Sequence, residues 1–295
     1  MKRILLFLVT NLAIMAVLTV VLNVLSGFFG LHQGSTGKIV LLACVFGMGG
    51  SFISLFMSKW LAKQTTGAMV IEQPRDATEA WLVETVKRLS QKAGIGMPEV
   101  AIYDAPDVNA FATGASRNNA LVAVSTGLLR SLTRAESEAV LAHEVSHVAN
   151  GDMVTLTLIQ GVLNTFVILL ARVIGGLVDG MFSRQEEGEN PPSTGMAYMI
   201  TSFVAEIVLG ILASMVVMWF SRQREYRADA GGAQLAGRNA MISALERLQQ
   251  STIPSHLPAE TAAFGISGNQ GGLMALLSSH PPLEERIEAL RKGSH

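Results

Sequence analysis

The chain of 295 residues is 49% hydrophobic and only 15% charged, with a net charge of −1 and a mean hydropathy of +0.39. A soluble domain has about a quarter of its residues charged, so the composition points to a lipid bilayer as partner, and the near-neutral charge excludes nucleic acid. Cys44 is the single cysteine, which excludes a disulfide framework and a cysteine-ligated zinc site.

In chain order, the first element is an uncharged run from Ile4 to Gln33, preceded by Lys2 and Arg3. It is longer than the apolar core of a secretory signal, and no small-x-small cleavage site follows it. It is therefore read as a retained anchor. A second uncharged run covers Ile39 to Ser58. About twenty apolar residues cross the hydrocarbon core, and both runs meet that length. Further apolar runs cover Met153 to Ala171 and Met196 to Phe220, the latter interrupted by Glu206. Together they predict about four transmembrane helices.

Lys2, Arg3, Lys59, Lys63, Arg222, Arg224 and Arg227 flank these runs on one side. On the other side, the connection 30–38 is nearly uncharged and 179–195 is net acidic. The positive-inside rule then places both termini and residues 64–152 in the cytoplasm. The expected organisation is two N-terminal spans in 1–63, the first part of a cytoplasmic domain in 64–152, a membrane hairpin in 153–220, and the second part of that domain in 221–295.

Within 64–152, Trp81, Leu82, Val86 and Leu89 predict an amphipathic helix over Ala77–Ala93. Glu99–Tyr103 and Ala120–Val124 read as strands, with a shorter one in Asn109–Gly114. An exposed edge of such a small sheet can take an extended peptide by strand addition, and a purely structural strand fits the pattern equally well. Thr133-Arg134-Ala135-Glu136 is a capping box that opens a helix with an apolar side of Ala139, Val140, Ala142 and Val145, and Asn150-Gly151 stops it.

That helix carries His143-Glu144-Val145-Ser146-His147. Residues four apart leave one helical face, so His143 and His147 can grip one metal ion while Glu144 reaches a water molecule as general base. With six histidines in the chain, an accidental match is improbable. A catalytic zinc site needs a third protein ligand. The metzincin extension of the motif is absent, because position 150 is Asn and position 153 is Met. A carboxylate from another helix is then required. Glu225 is the candidate, with Asp229 one turn further on placed to accept a hydrogen bond from a ligand histidine. Spacing alone also fits a solvated helix face of Arg–Glu pairs.

The remaining elements are a polar loop over 179–195, a helical stretch over 221–250, a Ser/Pro/Gly-rich loop over 251–272, and short helices at Leu273–Leu277 and Pro282–Leu290. Glu206 admits two readings. It is either a polar feature of a cavity opening toward the histidines, or a residue of a helix that packs in protein or only partly enters the bilayer, and Arg172 on the preceding run can form an ion pair with it. The second is preferred. Gly293-Ser294-His295 is given no role.

The ordered set Asn109-Ala110-Phe111-Ala112-Thr113-Gly114, His143-Glu144-Val145-Ser146-His147 with Gly151-Asp152, Glu225-Tyr226-Arg227-Ala228-Asp229, and His280-Pro281-Pro282-Leu283 with Arg286 resembles the HtpX family. These are bacterial heat-shock membrane proteases related to the CAAX prenyl proteases, and the resemblance extends over nearly the whole chain. It implies a mostly α membrane protein with a cytoplasmic α+β peptidase domain of the gluzincin type. One zinc ion would be held by His143, His147 and Glu225, with Glu144 as catalytic base. Asp229 would support a zinc histidine, His280 would stabilise the oxyanion with Arg286 nearby, and Asn109, Ala110, Phe111 and Ala112 would hold substrate backbone.

The implied substrates are polypeptides, membrane proteins among them, in protein quality control at the bacterial inner membrane. Oligomeric state is not legible. Processing of prenyl peptides is the rival within the peptidases, and four spans argue against its larger enclosed chamber. A non-catalytic, metal-stabilised scaffold is the rival outside them, and it would have no need of Glu144.

Overall fold

In the computed structural model, residues 2–30, 36–183, 195–250 and 278–293 are described. The expected loop over 251–272, the helix Leu273–Leu277, most of the polar 179–195 connection, His32, His256 and Ser294–His295 lie outside them. The chain divides into two compact units. One comprises Met1–Ser54 with Thr157–Val217, the other Leu55–Leu156 with Met218–His295.

The first unit is helical. Helix α1 spans Lys2–Phe28. Helix α2 (Thr36–Cys44) runs through a π-helical turn at Val45–Gly49 into α3 (Gly50–Thr66). Helix α7 covers Asp152–Ser183 and α8 covers Met196–Ala236. Among the described residues, three helices are long and apolar enough to cross a membrane: Thr36–Thr66, Asp152–Met181 and Met196–Ala236. Ala16–Phe28 adds a shorter apolar stretch. Leu177, Met199 and Phe203 are among the large apolar side chains left exposed on these helices, a surface that water disfavours and lipid accepts. The helices meet through small residues, as membrane helices do. A Cβ at Gly47, on the π-turn, would lie 2.5 Å from the backbone nitrogen of Thr165 on α7. Arg172 Nη2 lies 3.1 Å from Glu206 Oε1, so the expected ion pair between the hairpin helices is present. Helix α7 continues to Ser183, past the expected start of the loop at Asp179, because no proline interrupts it there.

The second unit carries a four-stranded sheet of β1 (Met69–Val70), β2 (Glu99–Tyr103), β3 (Ala110–Ser116) and β4 (Asn119–Ser125), in the order β1-β2-β4-β3. Strands β2 and β4 run parallel, while β3 pairs antiparallel with β4 and forms the edge. Alternation along the strands separates two faces. Ala110, Ala112, Val122 and Val124 join the core formed with α4 (Ala77–Ala93) and α6 (Arg134–Asn150). Phe111, Leu121, Ala123 and Tyr103 pack on the other face around Ala62.

The capping box and glycine stop read from sequence on α6 are present, and α4 has a cap that the sequence reading did not name. Asp76 accepts from the backbone of Thr78 and Glu79 at the start of α4. Thr133 and Glu136 form a reciprocal capping box on α6, which Gly151 closes in the left-handed conformation. Short α5 (Thr126–Ser131) links β4 to α6. The helical stretch 221–250 is broken where Gly237 takes a φ of +100°, so α8 ends at Ala236 and α9 begins afresh (Arg238–Gln250). Helix α10 (Leu283–Lys292) completes the unit.

Candidate metal centre

The capping box fixes where α6 starts, and three turns later His143 and His147 follow on one face. Their Nε2 atoms lie 3.1 Å apart. Helix α8 brings Glu225 against them, with Oε1 3.2 Å from His147 Nε2 and Oε2 3.5 Å from His143 Nε2. This approach depends on absent side chains. A Cβ at Gly231 would lie 2.6 Å from Ser146 Oγ, and one at Gly232 would lie 3.2 Å from the His143 backbone nitrogen. The Gly231-Gly232 pair therefore lets α8 lie directly on the motif helix.

Each histidine is held from behind by a carboxylate. His143 Nδ1 is 2.9 Å from Asp229 Oδ1. Asp229 in turn accepts two hydrogen bonds from Arg286 on α10, at 2.8 and 2.6 Å. His147 Nδ1 is 2.6 Å from Asp152 Oδ2. The positive φ of Gly151 reverses the chain at the end of α6, which brings the first residue of α7 back beside the last ligand candidate. With both Nδ1 atoms turned to carboxylates, the two Nε2 atoms face each other and Glu225, a repulsive arrangement of lone pairs that a shared cation relieves.

The spacing suits zinc. Zinc–nitrogen bonds of about 2.0–2.1 Å at tetrahedral angles place neighbouring donor atoms about 3.3 Å apart. The three donor pairs here are 3.1, 3.2 and 3.5 Å apart. His143, His147 and Glu225 are the group among the described residues that can hold a metal ion.

The electrostatics make the same demand. Burial disfavours a charged His143 ring, yet the hydrogen bonds to Asp229 and Glu225 outweigh it and raise its pKa. Burial likewise opposes the charge on His147, and the Glu225 charge with the Asp152 hydrogen bond raises it to about 10. The buried carboxylates thus call for positive charge between the rings, and a divalent cation supplies it. Glu144 is buried beside them, and burial followed by the Glu225 charge raises its carboxyl above the usual range.

Ala112, His143, Glu144, His147, Met153, Arg224, Glu225 and His280 line one cavity. His280 Nδ1 lies 2.8 Å from Glu225 Oε2, and its Nε2 is buried with no hydrogen-bond partner among the described residues. Arg286 is fully buried, with Nη1 3.3 Å from Glu225 Oε2. Of the residues expected to hold substrate, Ala112 reaches the cavity. Ala110 and Phe111 lie on β3 inside the two cores, and Asn109 is buried just before that strand, its backbone N–H donating to Ser125 Oγ at 3.2 Å.

Two residues at the site, Asp152 and Arg224, were named in the sequence but given no role there. Asp152 had a readable signal, an acidic residue directly after the glycine that stops the motif helix. Arg224 had none, because an arginine beside a glutamate reads as an exposed pair.

Comparison with known proteins gives three results. The sequence description of "Peptidase family M48" matches residues 76–294. The chain is 61% identical over 303 residues to the Protease HtpX of Alkalilimnicola ehrlichii, covering 100% of this chain and 99% of that one. It is 62% identical over 297 residues to the Protease HtpX homolog of Nitrosomonas eutropha, covering 99% and 100%. The crystal structure of S. mikatae Ste24p superposes with a TM-score of 0.67 at 18% identity, covering 98% of this chain and 66% of that one. This last likeness concerns the fold alone.

Proposed function

The chain belongs to peptidase family M48, and from that premise we propose that it is a membrane-embedded zinc endopeptidase acting on polypeptides. One observation carries the reading: His143, His147 and Glu225 bring three donor atoms to metal-binding separation beside the buried carboxyl of Glu144, in a single cavity. The scaffold reading leaves Glu144 without a purpose.

His143, His147 and Glu225 would hold the ion, with Asp229 and Asp152 fixing the tautomer and tilt of the two rings. Zinc, when bound, supplies Lewis-acid polarisation of water and of the scissile carbonyl. Glu144, whose affinity for a proton is raised by burial, takes the proton of the attacking water and returns it to the leaving amine. The unpartnered Nε2 of His280 is available to donate to the oxyanion that develops on the substrate. Arg286 ties Asp229 and Glu225 together from α10. Edge strand β3, entered from Asn109 and presenting Ala112 to the cavity, offers a place for extended substrate.

The peptidase unit is proposed to be of the gluzincin type, with α1 as a fourth span. The flanking Lys and Arg residues support a cytoplasmic face for both termini and the site at the bacterial inner membrane. Membrane proteins in quality control are the proposed substrates. The purified full chain in detergent should carry one zinc ion, lose casein hydrolysis on chelation and regain it with Zn2+. Hydrolysis that survives removal of all metal would overturn the reading.

A further inference from the structure

Arg224 is a permanent cation that the described residues leave without an ion pair. The residue is only 7% exposed, and it lines the same cavity as His143, Glu144, His147, Glu225 and His280. Its one polar contact among the described residues is Nη2 donating to Ser221 Oγ at 2.9 Å, and its Nε is buried with no acceptor. No carboxylate of the described residues forms an ion pair with it. Arg286, the other buried arginine of the site, shows the contrast, since Asp229 and Glu225 both face it.

Burying a guanidinium is costly unless a partner answers its charge, and a cation cannot act as ligand to a metal ion. Since no described residue answers the charge, what enters the cavity is the natural source of the group that does. A guanidinium offers several donors in a rigid fork matched to a carboxylate, and the pairing is strongest where water is excluded. Backbone carbonyls of a peptide would satisfy single N–H groups but would leave the charge unanswered.

We propose that Arg224 is a specificity-determining residue that receives a carboxylate of the polypeptide substrate beside the reacting bond. The proposal rests on the peptidase reading above. The carboxylate has two sources, an Asp or Glu side chain within the substrate or the free C-terminus of a peptide, and two pairs of probes separate them. One pair has both ends blocked and differs only in Glu or Gln next to the scissile bond. The other lacks acidic side chains and differs only in a free or amidated C-terminus.

The full-length protein in detergent, zinc-loaded and carrying Glu144→Gln so that peptides stay intact, is titrated with each probe by fluorescence anisotropy. The carboxylate member of one pair should bind at least about tenfold more tightly, as a charge-assisted hydrogen bond implies, and the pair that responds names the source. Arg224→Gln should bring that ratio close to one at unchanged zinc content, and Arg224→Lys should retain part of it. In the catalytic background the same preference should appear in KM and not in kcat.

Equal binding within both pairs would overturn the proposal, as would a preference that persists in Arg224→Gln. If Arg224→Gln does not fold, Arg224→Lys decides, because an unchanged preference after loss of the fork contradicts the assignment. Cleavage at equal kcat/KM within both pairs sinks this proposal and leaves the peptidase reading intact. No cleavage of any peptide by the zinc-loaded wild type sinks both.

Discussion

At the scale of the residue, the centre is built in pairs, with each ligand histidine facing a carboxylate that fixes it and Glu225 facing His280 and Arg286. Asp152 contributes no atom to the trio of donors, yet its Oδ2 lies 2.6 Å from His147 Nδ1. Losing such a partner typically weakens metal binding about 10–100-fold. Asp152→Asn should therefore release zinc to a competing chelator at correspondingly lower chelator concentration while the protein stays folded. Affinity equal to the wild type's would remove Asp152 from the site. The histidines and Glu144 are legible in sequence because a metal and a base impose a fixed spacing on one helix. Glu225 needs more, since a carboxylate in a charged stretch is ordinary until its neighbours are known. Asp152 follows the glycine that stops the motif helix and could be read from that place, whereas Arg224 is defined by the cavity it lines, which a charged stretch of sequence does not reveal.

At the scale of the element, the helices with chemical stops were readable to the residue. Helix α4 runs from Ala77 to Ala93 and α6 from the Thr133 cap to Gly151, as the capping box and the glycine require. Strand β1 is two residues long, too short for alternation to register. The π-turn at Val45–Gly49 sits in a uniformly apolar run that carries no marker of it. The break at Gly237 was missed because both sides of it read as helix.

The α6 cap gives two measurements. Thr133→Ala removes the acceptor for the Glu136 N–H and should cost about 1 kcal/mol of stability in detergent melts. Burial pushes the Glu136 carboxyl up, but hydrogen bonds from the Thr133 backbone and Ser243 outweigh this and leave it below its usual 4.5. A lowered carboxylate stabilises the fold above pH 4.5, and that contribution fades as pH falls through the folded value. Glu136→Gln should accordingly melt lower than wild type at pH 7, with the difference shrinking in acid. A difference independent of pH would contradict the charge-dependent role. Gly231→Ala tests the contact between the ligand helices. Its Cβ would lie 2.9 Å from Ser146 Cβ, so about 1–3 kcal/mol of stability and part of the zinc affinity should be lost together.

At the scale of the whole molecule, the two histidines lie on α6, just before the apolar hairpin, and the third donor lies on α8, the hairpin's second helix, which continues past its apolar part to Ala236. Composition revealed those apolar runs plainly, because spanning lipid demands long stretches without charge. It could not reveal how the helices pair. The Arg172–Glu206 pair, 3.1 Å apart on α7 and α8, is a test of that pairing. Arg172→Leu or Glu206→Leu alone leaves one charge unanswered in an apolar unit and should cost about 3 kcal/mol. The double replacement should recover much of the loss in thermal melts, and additive losses would show that the pair does not act as a unit.

The central claim is that one chain assembles a metal centre and a proton-transfer group that have separate jobs. Zinc content and casein hydrolysis measured side by side on the wild type and Glu144→Gln address it most directly. The variant should keep its zinc while hydrolysis falls about 10²–10⁴-fold, the contribution expected of a general base. Hydrolysis at the wild-type rate in zinc-loaded Glu144→Gln would contradict the account.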